Sequence, residues 1–382
     1  MKPMTSRQRL LAASRHQPVD RIPLSPRVGY AAHHHCGSAS PQNLLRLKKI
    51  YDYDPFITVD GQDLPLFDPL NVFRYAPGVE VRIDVKDQGS KRVVDRTIHT
   101  PDGDLHDVRL VVNPGYTEYG LAPDPVHREF MVKTPDDLPK LKHLLPPANP
   151  SLANEYHGWE HIAGAEAVTR ACVYGPLGYQ ADMVMSHEDL MVNYLLNRDF
   201  VVELVDMFFE NLQTQTKAML EQGVRYFYSS WYAHSLSVGW SPQIFREWFL
   251  PMIKAHVELI HSYDGIIDYY DDGKQMQIIE MLLEAGVDVL ETCTPPPVGD
   301  VELAEAIKLC SGKMTLMGHT DLIYVIKEGT VEDVREAVRK ACQIGGTDGC
   351  FILGTSDSIR EGTPVENIDA YFKYGREYGK LS

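Results

Sequence analysis

A (β/α)8 TIM barrel is the fold the sequence predicts, with a β-rich insertion between its second and third strands. Three observations predict it. Eight short apolar segments recur along the 382 residues, helical patterns separate most of them, and one stretch switches to period-two alternation. A doubly wound open sheet is the competing arrangement. No G-x-G-x-x-G turn follows the first strand, which weighs against it.

The elements follow in order. Thr5-Ser-Arg-Gln8 has the form of a capping box, so a short helix starts there. Residues 21–27 read as the first extended segment, followed by strands at 56–60, 171–175, 226–230, 265–270, 287–291, 314–318 and 350–354. Helices are expected at 200–222, 242–263, 274–285, 301–310 and 331–344. Ser241 and Asp300 are available as N-caps for two of them, and Gly223 and Gly286 as stops. Between Leu66 and Leu145 the segments 79–85, 92–100 and 105–112 read as a β-meander, with Pro101-Asp-Gly-Asp104 supplying a tight turn. The expected organisation is a barrel of residues 1–65 and 146–382, with 66–145 inserted over its mouth.

Composition narrows the function. Hydrophobic residues make up 44% and charged residues 24%, an ordinary globular balance. A net charge of −16 disfavours nucleic acid and anionic lipid as partners. No apolar run is long enough to span a membrane. The six cysteines form no C-x-x-C pair and no disulfide framework, so a reducing cytoplasm is the default expectation, and a homodimer stays open.

In a barrel, function gathers at the C-terminal ends of the strands. There the sequence puts Arg27 and Tyr30, Asp60, Tyr174, Tyr228 and His234, Tyr270 and Asp272, Glu291, and His319. Asp272, Glu291 and His319 end three successive strands. They could converge as O and N ligands on one zinc ion, leaving an open position for Lewis-acid chemistry. Equally, Asp272 could cap a helix, Glu291 pair with a cation, and His319 lie in a loop. The tyrosines suggest a pocket that stacks a flat substrate, and Arg27 suits a carboxylate. The run His33-His-His-Cys36 reads as a solvent-exposed or mouth-lining loop rather than a second metal site.

Several motifs are family-like. They are Met317-Gly-His-Thr-Asp321, Gly329-Thr-Val-Glu-Asp-Val-Arg-Glu-Ala-Val338, Phe351-Ile-Leu-Gly354, Gly362-Thr-Pro-Val-Glu-Asn367, Tyr174-Gly-Pro-Leu-Gly178 and Pro18-Val-Asp-Arg-Ile-Pro23. In these the chain resembles the uroporphyrinogen decarboxylase superfamily, which also contains cobalamin-linked methyltransferases. The resemblance implies the barrel independently. The decarboxylases carry an arginine-rich segment after strand one and a histidine where this chain has Thr355. Arg27 stands nearly alone here, which argues against a porphyrin substrate. Thiol-alkylating relatives carry a His-x-Cys zinc motif where this chain reads Tyr270-Asp271-Asp272.

A third branch, the methyltransferase I components of O-demethylase systems, binds zinc through carboxylates and a histidine, and Asp272, Glu291 and His319 are compatible with that type. The resemblance therefore implies a zinc-dependent methyltransferase. It would move a methyl group from a small aromatic methyl ether to the Co(I) corrinoid of a partner protein. Two alternatives stand beside it. One is a metal-independent decarboxylase in which Asp60 or Asp272 stabilises a developing cation and Arg27 holds a carboxylate. The other is an inactive binding barrel.

Overall fold

The computed structural model describes residues 2–113, 124–346 and 350–380. The chain divides into two compact units. The first comprises Met1–Gly61, Ser151–Val173 and Leu220–Ser382, the second Gln62–Pro150 and Tyr174–Met219. The second unit thus reaches beyond the expected insertion of 66–145.

The first unit is built on a curled parallel sheet. Its strands are β1 (Phe56–Asp60), β6 (Val168–Tyr174), β7 (Tyr226–Ser230), β8 (Ile266–Tyr270), β9 (Val289–Thr292), β10 (Thr315–Thr320) and β11 (Phe351–Thr355), in that spatial order. The eighth expected strand, 21–27, makes only isolated bridges, Leu24 with Leu353 and Arg21 with Lys380. Pro23 and Pro26 have no N–H to give a ladder, so the segment cannot pair continuously. It still contacts both edges. Leu353 N donates to Pro23 O and Ser25 N to Leu353 O, while Asp54 N, just before β1, donates to Leu24 O.

One face of this sheet changes character along the strands. Phe56, Val168, Tyr226, Ile266, Val289, Met317 and Ile352 form an apolar floor, closed by Leu10, Ala12 and Ala13 of the N-terminal helix Ser6–Ser14. Side chains alternate faces along a strand, so the next layer on the same face lies two residues on. It consists of Thr58, Arg170, Tyr228, Asp268, Glu291, His319 and Gly354. Barrel interiors are usually filled by branched apolar side chains. A polar layer above an apolar floor therefore marks a candidate site.

The helices keep the expected order with local corrections. The segment from Pro242 runs as α-helix, then a π-turn at Phe245–Phe249, then α-helix Leu250–His261. Pro251 lacks the N–H that a regular ladder needs, and the wider turn lies just before it. The helix expected from Lys274 begins only at Ile279. Asp300, expected to cap the helix after β9, instead accepts Gln275 N at 2.6 Å and Met276 N at 3.1 Å, and that helix begins after Glu302. His33–Cys36 is not a loop but the end of a helix, Gly29–Cys36.

The second unit carries an antiparallel sheet of β2 (Glu80–Asp87), β3 (Lys91–Thr100), β4 (Gly103–Val112) and β5 (Val126–Glu129). Among the described residues the meander thus has four strands where the sequence pattern revealed three. β5 spans only four residues, too short for alternation to stand out. In its interior Arg96 and Arg109 share the carboxylate of Asp107 through bonds of 2.8–2.9 Å, all three side chains at most 1% exposed. No helix among the described residues is long and apolar enough to cross a membrane.

Candidate functional site

The site in the first unit begins with Arg170 on β6. Its guanidinium pairs with Asp268 of β8, donates to Glu291 of β9 at 2.8 Å and to Thr58 of β1 at 3.0 Å, and stacks on the rings of Phe56 and Tyr228. The other Glu291 oxygen accepts from Arg27 at 3.2 Å, and Arg27 also donates to the Tyr228 hydroxyl at 2.9 Å. Arg27 in turn lies 3.9 Å from Asp357, which pairs with Arg360 at 2.8 Å. Charges thus alternate from a buried end to an open one. Glu291 is 1% exposed, Arg27 27% and Asp357 29%.

The two inner carboxylates are shifted in opposite directions. Burial would raise both. At Glu291 the charges of Arg170 and Arg27 outweigh it and hold the acid below its ordinary range. At Asp268 burial, reinforced by the Glu291 charge, pushes the acid well above its ordinary range.

The open end meets a cavity of about 290 Å3 at the C-terminal ends of β8 to β11. It is lined by Ser237, Asp272, Gly273, Thr294, Val298, Leu322, Ile323, Ser356, Asp357 and Arg360. Asp272 accepts from the Tyr270 hydroxyl and, at 3.0 Å, from Thr292 Oγ1. Burial raises its pKa, and the neighbouring Asp357 charge adds to the rise.

Each expected residue can now be placed. Arg27, Tyr228, Tyr270 and Glu291 come together directly, and Asp272 joins them through Tyr270. Asp60 ends β1 on the polar face, exposed. Tyr30 lies on the helix Gly29–Cys36, its ring 5.7 Å from that of His34. His234 is fully buried between the rings of Trp231 and Phe249 rather than at the cavity. Tyr174 belongs to the second unit, packed edge-on against Tyr179 at 4.8 Å.

His319 shares the polar layer, at a φ of +79°. Burial lowers its pKa to about 4, keeping the ring neutral, and its Nδ1 is buried without a hydrogen-bond partner. The expected platform for a flat substrate is not built this way, because Arg27 covers the Tyr270 face at 4.5 Å and Arg170 the Tyr228 face at 4.4 Å.

The expected zinc triad is not assembled either. Both Glu291 oxygens are held by arginines, and among the described residues no group of three or more His, Cys, Asp or Glu side chains gathers as an ion would need. His319 fits as a single donor; the set as a whole does not fit zinc.

Sequence reasoning missed Arg170 and Asp268. A signal existed, since each is a lone charge inside an otherwise apolar strand. Such a charge is seldom fully buried without a partner.

The family described as uroporphyrinogen decarboxylase (URO-D) matches residues 119–378. A methylated-thiol–coenzyme M methyltransferase of Methanosarcina mazei is 27% identical over 137 residues, 36% of this chain and 34% of the relative. This chain therefore matches only about a third of that relative's length. A solved methyltransferase from Methanosarcina mazei superposes with a TM-score of 0.64 at 14% identity, over 98% of this chain and 99% of that one. At that identity the likeness is one of fold.

Proposed function

The chain belongs to the uroporphyrinogen decarboxylase family, and from that premise we propose that it is a cytoplasmic methyltransferase. It moves a methyl group from a small methylated donor to the Co(I) corrinoid of a partner protein. In this reading Pro23–Ser25 acts as the strand that completes an eight-stranded barrel. The observation that carries the function is the ion network that ends at the cavity beside Asp272 and Asp357. The resemblance to corrinoid-dependent methyltransferases supports the reaction class.

A Co(I) corrinoid supplies the nucleophile. This chain's residues bind and orient the donor. Arg170 fixes one oxygen of Glu291, Glu291 fixes Arg27, and the two tyrosines hold the Arg27 guanidinium flat, so the cavity wall is preorganised before the donor arrives. The methyl ether is the donor favoured by the O-demethylase resemblance. Zinc would serve such a donor, but the residues present do not fit it, both Glu291 oxygens being held by arginines.

The test is direct. Protein is mixed with Co(I) corrinoid and candidate methyl donors, and methyl-Co(III) is followed by its absorbance. Methylated corrinoid formed only with enzyme is the expected result. Carbon dioxide released from a carboxylate substrate, with no cobalt methylated by any donor, would replace this reading by the decarboxylase one.

A further inference from the structure

The carboxylates at the cavity wall are unequal. Asp357 is shared between Arg360 at 2.8 Å and Arg27 at 3.9 Å. Asp272 lines the same cavity but receives only hydroxyl groups, from Tyr270 and from Thr292. Among the described residues no lysine or arginine forms an ion pair with it, and the Arg27 charge that reaches it is outweighed by burial and the Asp357 charge. Taking a carboxylate out of water without a counter-charge is costly, and a ligand that brings the charge removes that cost.

The chemistry of the leaving group points the same way. A methyl ether expels an alkoxide or phenoxide, which needs a Lewis acid or a proton donor. The carboxylate best placed for a metal, Glu291, is occupied by two arginines. A methylated onium compound makes no such demand. When its C–N or C–S bond breaks, both bonding electrons stay with the heteroatom, which leaves neutral. The methyl carbon takes its new electron pair from Co(I), giving methyl-Co(III), and no proton moves.

We propose that the cavity takes a small methylated onium compound, an ammonium or sulfonium, with the cationic head against Asp272. This rests on the methyl-transfer reading and narrows its donor. The volume of about 290 Å3, and a lining that sets the apolar Val298, Leu322 and Ile323 beside the Asp272 carboxylate, suit a compact organic cation. The tyrosine faces that would stack an aromatic ether are already covered by Arg27 and Arg170.

Calorimetric titration of the whole protein with choline, its neutral isostere 3,3-dimethylbutan-1-ol, and guaiacol decides the matter. Choline is expected to bind at least about tenfold tighter than the isostere, a step of about 1.4 kcal/mol. That preference is expected to vanish in Asp272→Asn, whose fold is checked by circular dichroism. Equal binding of the two, tighter binding of guaiacol, or a preference that survives in Asp272→Asn would overturn the proposal.

A parallel assay for methyl-Co(III) separates the two claims. Methyl transfer from guaiacol without choline binding overturns the onium site and leaves the methyltransferase. Choline preference without cobalt methylation by any donor supports the onium site and removes the methyltransferase.

Discussion

Each unit of the molecule buries a cluster of arginines and carboxylates, and the two clusters are finished differently. In the second unit Arg96, Asp107 and Arg109 close on themselves. The remaining N–H groups of Arg109 go to the carbonyls of Leu66, Phe67 and Met183. In the first unit the series Asp268, Arg170, Glu291, Arg27, Asp357 starts just as dry but ends at a cavity, on residues more than a quarter exposed. The same residue chemistry thus serves cohesion in one place and a binding wall in the other. What separates them is whether the last charge has anything left to meet.

The largest effect expected is at the closed cluster. Asp107→Ala leaves two fully buried guanidinium groups without their carboxylate, which should cost about 3–5 kcal/mol in chemical denaturation. A much smaller loss would mean that the cluster is wetter than its burial indicates.

Glu291→Gln should be milder, about 1–3 kcal/mol. The amide keeps the shape and can still accept one of the two arginine bonds. Here the fold should survive while methyl transfer falls, which is the contrast between the clusters in a single pair of variants.

A third prediction concerns acid. Burial of His256 lowers its pKa to about 3, so the folded protein holds it neutral while the unfolded chain protonates near the ordinary value of 6.5. Its stabilisation is complete above that pH and is lost as pH falls toward the folded value. The slope is about 1.4 kcal/mol per pH unit. His256→Gln should flatten the denaturation profile between about pH 6 and pH 4. An unchanged slope would assign the acid sensitivity to other groups.

The smallest effect is expected for Tyr228→Phe, which removes one hydroxyl from Arg27 and leaves the ring under Arg170. About 0.5–1.5 kcal/mol should be lost. A loss as large as that of Asp107→Ala would show that the open cluster is as tightly closed as the other.

Much of this architecture was legible in the sequence. Seven of the eight expected strands are present within a few residues, because each is an apolar run bounded by turn residues. Gly318 of the Met317-Gly-His-Thr-Asp321 motif has a physical reason: it sits at φ +125°, where a Cβ would lie 1.6 Å from Thr292 O. Such a position admits only glycine.

What sequence could not give was pairing across strands. Asp272, Glu291 and His319 were correctly put at strand ends. The partners of Glu291, Arg170 and Arg27, lie 121 and 264 residues away in the chain, and only the folded sheet reveals that Glu291 is already engaged. The first strand failed for a local reason, two prolines in seven residues.

Arg27→Gln tests the central claim most directly. Arg27 links buried Glu291 to Asp357 at the cavity and is 27% exposed, so its loss should weaken the fold without abolishing it. Methyl transfer to Co(I) per folded molecule, measured beside the melting temperature, is predicted to fall by about 100-fold or more while the variant still melts cooperatively. Undiminished transfer in the folded variant would contradict the account.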